Sequence, residues 1–156
     1  MKNIKWKAVL ALPLAVAVFI GIISVLSAES AIKITIRNNR SHNISFAFCW
    51  AGLDYQYDTS KGWYNVKAGE TRTLTFKDAI YAFTSQNFGY YATGGGATWQ
   101  GKEDSSGYMT FWVHPSQAFT GNHDDRINGG KRVIFRNVNL TRESQEDGRA
   151  TLTFKP

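Results

Sequence analysis

The stretch Gly62-Trp63-Tyr64-Asn65-Val66-Lys67-Ala68-Gly69-Glu70-Thr71-Arg72-Thr73-Leu74-Thr75-Phe76 sets the reading of the whole chain. Thr71, Thr73 and Thr75 alternate with Arg72, Leu74 and Phe76, so a threonine face opposes an apolar one at the two-residue period of a strand. Lys67 to Glu70 contains a glycine where a tight turn needs one, and Trp63-Tyr64 heads the segment before it. The expectation is a β-hairpin whose turn sets the register and whose Leu74 and Phe76 feed the core.

Upstream, Ile32, Ile34 and Ile36 alternate with Lys33, Thr35 and Arg37, a strand with one wet face. Asn38 to Asn43 is turn-rich and leads into Ile44–Trp50, so these two strands are expected to form a further hairpin. In the second of them Ile44, Phe46, Phe48 and Trp50 share one side. Ser45, Ala47 and Cys49 occupy the other, and their small size predicts that this side is closely covered as well. Downstream, Ile80–Thr84, Phe88–Thr93, Tyr108–Val113, Val133–Phe135 and Arg149–Lys155 read as strands, and Ala97–Gln100 as a brief extended piece. Gly94-Gly95-Gly96 reads as a mobile loop, Ser116–Phe119 as one helical turn, Thr120–Gly130 as a polar loop and Thr141–Gly148 as a charged turn. The fold class is therefore all-β: an antiparallel β-sandwich, or alternatively an open β-barrel, of about eight or nine short strands.

The 156 residues suit one domain after an N-terminal segment is set aside. Lys2, Lys5 and Lys7 precede an uncharged apolar run from Ala8 to Leu26, followed by Ser27-Ala28-Glu29-Ser30. Residues 1–28 read as a signal peptide or, because residues 8–26 approach the length of a bilayer span, as an N-terminal membrane anchor. Either way residues 29–156 form a single β domain expected to be secreted, periplasmic or held at the cell envelope. Removing the leader lowers the formal net charge from +6 to about +3, and the remaining basic residues are scattered. Nucleic acid is not an expected partner. Cys49 is the single cysteine, so an intrachain disulfide framework is excluded and a small buried thiol is expected.

Aromatic residues carry the main functional hint, many of them in adjacent pairs: Trp63-Tyr64, Tyr90-Tyr91 and Phe111-Trp112. Neighbours on a strand project to opposite faces, so either both faces are covered or some rings stand on the surface. Exposed rings suit sugar faces or a protein partner, and Trp63, Tyr64, Tyr91, Trp99 and Trp112 are the candidate binding residues. No catalytic residue, cofactor or metal ligand set is assigned. The His123-Asp124-Asp125 cluster lacks ligand spacing, there is no Gly-x-Ser-x-Gly elbow, and the Gly94–Gly96 run lacks the Lys-Ser/Thr of a phosphate loop. A non-enzymatic domain binding a glycan or an envelope protein is the leading expectation. The alternatives are an envelope hydrolase using His114 or the His123 loop, and a structural subunit of an envelope assembly.

Asn38 after the first strand, Gly62-Trp63-Tyr64 with Ala68-Gly69-Glu70, Tyr90-Tyr91-Ala92, Trp99-Gln100-Gly101 and Phe111-Trp112-Val113 follow one another in an order that resembles the bacterial family known as domain of unknown function 1036. The resemblance spans about Ile32 to Phe154 and implies a small exported or envelope protein, with no established activity. Members often carry one cysteine just before that asparagine and another just after the Gly-Glu. Those places hold Arg37 and Thr71 here, so a disulfide at that point in the family would be replaced by packing in this chain.

Overall fold

A computed structural model describes residues 31–50, 59–79, 88–102, 109–122, 126–143 and 147–156. The leader 1–28, the strand expected at 80–84 and the His123-Asp124-Asp125 cluster lie outside these residues. Eleven strands are present among the described residues: β1 (Ile32–Asn38), β2 (Ile44–Trp50), β3 (Thr59–Val66), β4 (Thr71–Phe76), β5 (Phe88–Gly94), β6 (Ala97–Trp99), β7 (Met109–Val113), β8 (Phe119–Asn122), β9 (Lys131–Asn137), β10 (Thr141–Arg142) and β11 (Gly148–Phe154). β8 and β10, too short to show a period, stand where a helical turn with a polar loop and a charged turn were expected, and the brief extended piece at 97–100 is a paired strand, β6.

The strands form two sheets. The smaller runs β10-β11-β1-β4, with β1 and β11 parallel. The larger runs β7-β9-β5-β2-β3-β8, with β6 added beside β5. It curls until β7 returns to β3, where Trp63 Nε1 donates to the carbonyl of His114 at 2.8 Å and Ser60 Oγ lies 3.4 Å from the carbonyl of Trp112. The architecture is thus a sandwich of which one layer is itself a nearly closed barrel, and the two expected forms coexist in one molecule.

This arrangement produces two cores. Ile32, Ile34 and Ile36 of β1 and Leu74 and Phe76 of β4 face Ile44, Phe46, Phe48 and Trp50 of β2 across the sandwich. On the other side of β2, Ala47 and Cys49 join Tyr91, Phe111, Val113, Val133 and Phe135 inside the curl. β2 is therefore buried on both faces, as its small-residue side predicted. Two of the three adjacent aromatic pairs have the same cause. Tyr64 and Tyr90 belong to the sandwich core, while Trp63 and Tyr91 belong to the barrel core.

Both expected hairpins are overturned. β1 pairs with β4 and β11, whereas β2 and β3 pair with each other in the large sheet. The 39–43 and 67–70 connectors are arches that cross from one sheet to the other. Alternation specifies which face of a strand is apolar; it does not specify the partner, and a short connector serves an arch as well as a hairpin. Gly69 adopts φ 72°, and a Cβ there would meet nothing, so glycine is required for conformation and not for space.

Asn38 ties the arches together. Its side chain is fully buried, and Nδ2 donates to the carbonyls of His42 (2.8 Å), Val66 (3.2 Å) and Lys67 (2.9 Å). Oδ1 accepts the amide of Arg40 at 3.1 Å, and the Asn38 amide donates to the carbonyl of Glu70 at 2.9 Å. Arg37 and Thr71 are direct register partners on β1 and β4, so the two positions singled out by the resemblance do lie opposite one another.

Three further expectations change. Gly95 and Gly96, with φ 55° and 76°, make the two-residue turn of a tight β5–β6 hairpin where a mobile loop was expected. Residues 116–119 form no helical turn: Nδ1 of His114 accepts the amides of Ser116 (3.2 Å) and Gln117 (2.9 Å), and Phe119 already begins β8. The expected 120–130 loop accordingly starts with a strand paired to β3.

Candidate functional site

The β5–β6 hairpin determines the site. Its two-glycine turn sets Trp99 opposite Ala92, on the face of β5 that also carries Tyr90. Phe154 of β11 approaches both rings edge to face, 5.0 Å from Trp99 and 6.1 Å from Tyr90. The guanidinium of Arg40 lies over Trp99 at 5.4 Å, and its Nη1 donates to the carbonyl of Lys155 at 3.0 Å. On β9, Arg136 is the register partner of Tyr90. Burial pushes the Tyr90 phenol above its ordinary pKa, and the neighbouring Arg136 guanidinium opposes that shift.

Between these groups and β11 lies a groove of about 700 Å³. Tyr90, Trp99, Leu152 and Phe154 supply its apolar surface. Arg136, Asn137 and Asn139 line it from the β9 side, and Thr141, Thr151, Thr153 and Lys155 from the β10–β11 side. The groove exists because the smaller sheet narrows here. β10 pairs only with Gly148 and Arg149, so the rest of β11 has no strand beyond it among the described residues. A groove of this size, with apolar rings and neutral amides and hydroxyls around them, fits a small polar ligand.

The five aromatic residues singled out in the sequence do not converge. Trp99 alone lines the groove. Trp63 and Tyr91 meet at 6.0 Å within the barrel core, and Tyr91 is buried. Tyr64 is half-buried against Phe48 and Phe76, at 5.8 and 5.7 Å. Burial and the charge of Asp78 raise its phenol pKa, with Arg72 opposing. Trp112 is half-buried, with the Arg126 guanidinium 5.4 Å from its ring centre.

Arg136, Asn137, Asn139, Thr151 and Thr153 carried no sequence signal, because only the pairing of β9 with β5 and the course of β11 bring them round Tyr90 and Trp99. Among the described residues no group of three His, Cys, Asp or Glu side chains is placed to hold a metal ion. Compared with family models, with curated proteins and with solved structures, the chain finds no match in any of the three.

Proposed function

We propose that this chain is an exported, non-enzymatic β domain that binds a saccharide in the groove between β11 and the β5–β6–β9 wall. The observation that carries the reading is the groove itself: Trp99 and Tyr90 stand beside the amides and hydroxyls of Asn137, Asn139, Thr151 and Thr153. A sugar ring offers an apolar C–H face and a rim of hydroxyls, and this lining matches both. Export rests on residues 1–28 of the sequence, as does placement at the envelope. A hydrolase working through His114 has less support, because Nδ1 of that imidazole already accepts two backbone amides.

Titration calorimetry against a panel of neutral and acidic oligosaccharides tests the reading. Binding is expected for at least one class, weakened by Trp99→Ala and left unchanged by Trp112→Ala. No heat with any saccharide, or equal affinity for the Trp99→Ala variant and the parent, refutes it. N-terminal sequencing of protein recovered from outside the cytoplasm tests removal of residues 1–28.

One observation favours a second reading, a subunit that pairs through a strand edge: beyond Arg149, the edge of β11 away from β1 has no strand neighbour among the described residues. A concentration-dependent dimer in light scattering would support it.

A further inference from the structure

We infer that the saccharide taken by this groove is acidic, its carboxylate or phosphate ester engaged by Arg136; this rests on the saccharide reading above and names the ligand class. The charged side chains among the described lining residues are Arg136 and Lys155, and no carboxylate is among them. Two acids that flank β10 and β11 in the chain have other duties. Glu143 accepts from Arg149 at 2.6 Å, and Oδ1 of Asp147 accepts the amide of Ala31 at 3.0 Å. Arg40, over Trp99, adds a third positive charge beside the groove.

Arg136 stands on the groove wall with donors to offer. Register sets it opposite Tyr90 on β9, and it lines the groove. The residue is exposed, and its guanidinium carries a five-donor fork. A planar fork of this kind matches the two oxygens of a carboxylate or phosphate. The neutral lining then serves the sugar hydroxyls, while Trp99 and Tyr90 meet the ring. Because the site is open to water, the charge contribution must be strongly sensitive to salt.

The experiment is calorimetric titration of the full chain with trigalacturonate, its methyl ester, a phosphorylated mannose trisaccharide, the neutral mannotriose and inorganic phosphate. The expected result is that at least one acidic sugar binds roughly tenfold or more tightly than its neutral counterpart. That advantage should vanish in Arg136→Gln and in about 0.5 M NaCl, and survive in part in Arg136→Lys. Near-ultraviolet circular dichroism confirms that each variant is folded. The two acidic probes separate a uronate from a sugar phosphate, and preference for either supports the inference. Equal affinity for acidic and neutral sugars, with Trp99→Ala weakening both, overturns the acidic assignment and leaves saccharide binding standing. Inorganic phosphate binding as tightly as the acidic sugars also overturns it, since the groove would then be a simple anion site. If none of the probes binds, saccharide recognition in this groove fails as well.

Discussion

Replacing Asn38 by alanine removes a fully buried side chain that ties both sheet-crossing arches together. Its amide nitrogen has two hydrogens shared among the carbonyls of His42, Val66 and Lys67, and its oxygen serves Arg40. In Asn38→Ala these four backbone groups each lose a partner. His42 and Lys67 belong to exposed connectors that water can reach, whereas the contact with Val66 is buried and water cannot replace it there. An unsatisfied buried polar group costs about 1–3 kcal/mol, and the re-solvated ones less, so a total near 3 kcal/mol is expected. With a urea m-value of about 2–3 kcal/mol/M, the unfolding midpoint should fall by roughly 1–1.5 M at unchanged slope. Asn39→Ala, one residue on and exposed, is the control and should stay within about 0.5 kcal/mol of the parent. Asn38→Asp keeps the acceptor for Arg40 but turns a carboxylate toward three carbonyl oxygens. It should destabilise at least as much as alanine at neutral pH and recover in part as acid protonates it. The reasoning is refuted if Asn38→Ala unfolds within about 0.5 kcal/mol of the Asn39→Ala control.

Three further outcomes follow from the packing. Cysteines introduced together as Arg37→Cys and Thr71→Cys should join spontaneously under mild oxidation and stabilise by about 2–4 kcal/mol; two titratable thiols after oxidation would show that the β1–β4 register is wrong. Tyr64 and Tyr90 have phenol pKa values raised by burial, so their contribution to stability is complete below about pH 10 and is lost as pH climbs toward their folded values. Ultraviolet titration should show two late phenols, and stability measured above pH 10 should decline more gently in a Tyr64→Phe/Tyr90→Phe variant. The Cys49 thiol, buried in the barrel core, should ignore an aromatic disulfide reagent in the native protein and react at once in urea; prompt native reaction would mean that the curl is open.

Much of the fold was legible because period-two patterning survives in short strands. The triple isoleucine row of β1 and the Thr71–Phe76 alternation show their buried faces directly, and the small residues of β2 announced its second covered face. Pairing was not legible, since Asn38–Asn43 and Lys67–Glu70 are as short as hairpin turns and the crossing is enforced by Asn38 through contacts distant in sequence. For the candidate site, Trp99 could be picked out as an aromatic at the end of a short strand. Arg136 could not, because its meaning depends on standing across from Tyr90, 46 positions earlier in the chain. Tyr91 illustrates the converse: a conspicuous ring whose place is in the interior.

β2 and β5 are party walls, each with a different room on either side. Tyr90 looks into the groove and the sandwich core, while the next residue, Tyr91, touches Trp63 in the barrel core. Neither room can be vacated without stripping the wall of the other, so the two cores should melt in a single transition and the β2 amides should be the last to exchange with deuterium. A displacement of Tyr90 at the groove would likewise be transmitted along one peptide unit to Tyr91. Trp63, on the far side of the wall, is thereby positioned as a built-in fluorescent reporter of events in a groove that it does not touch.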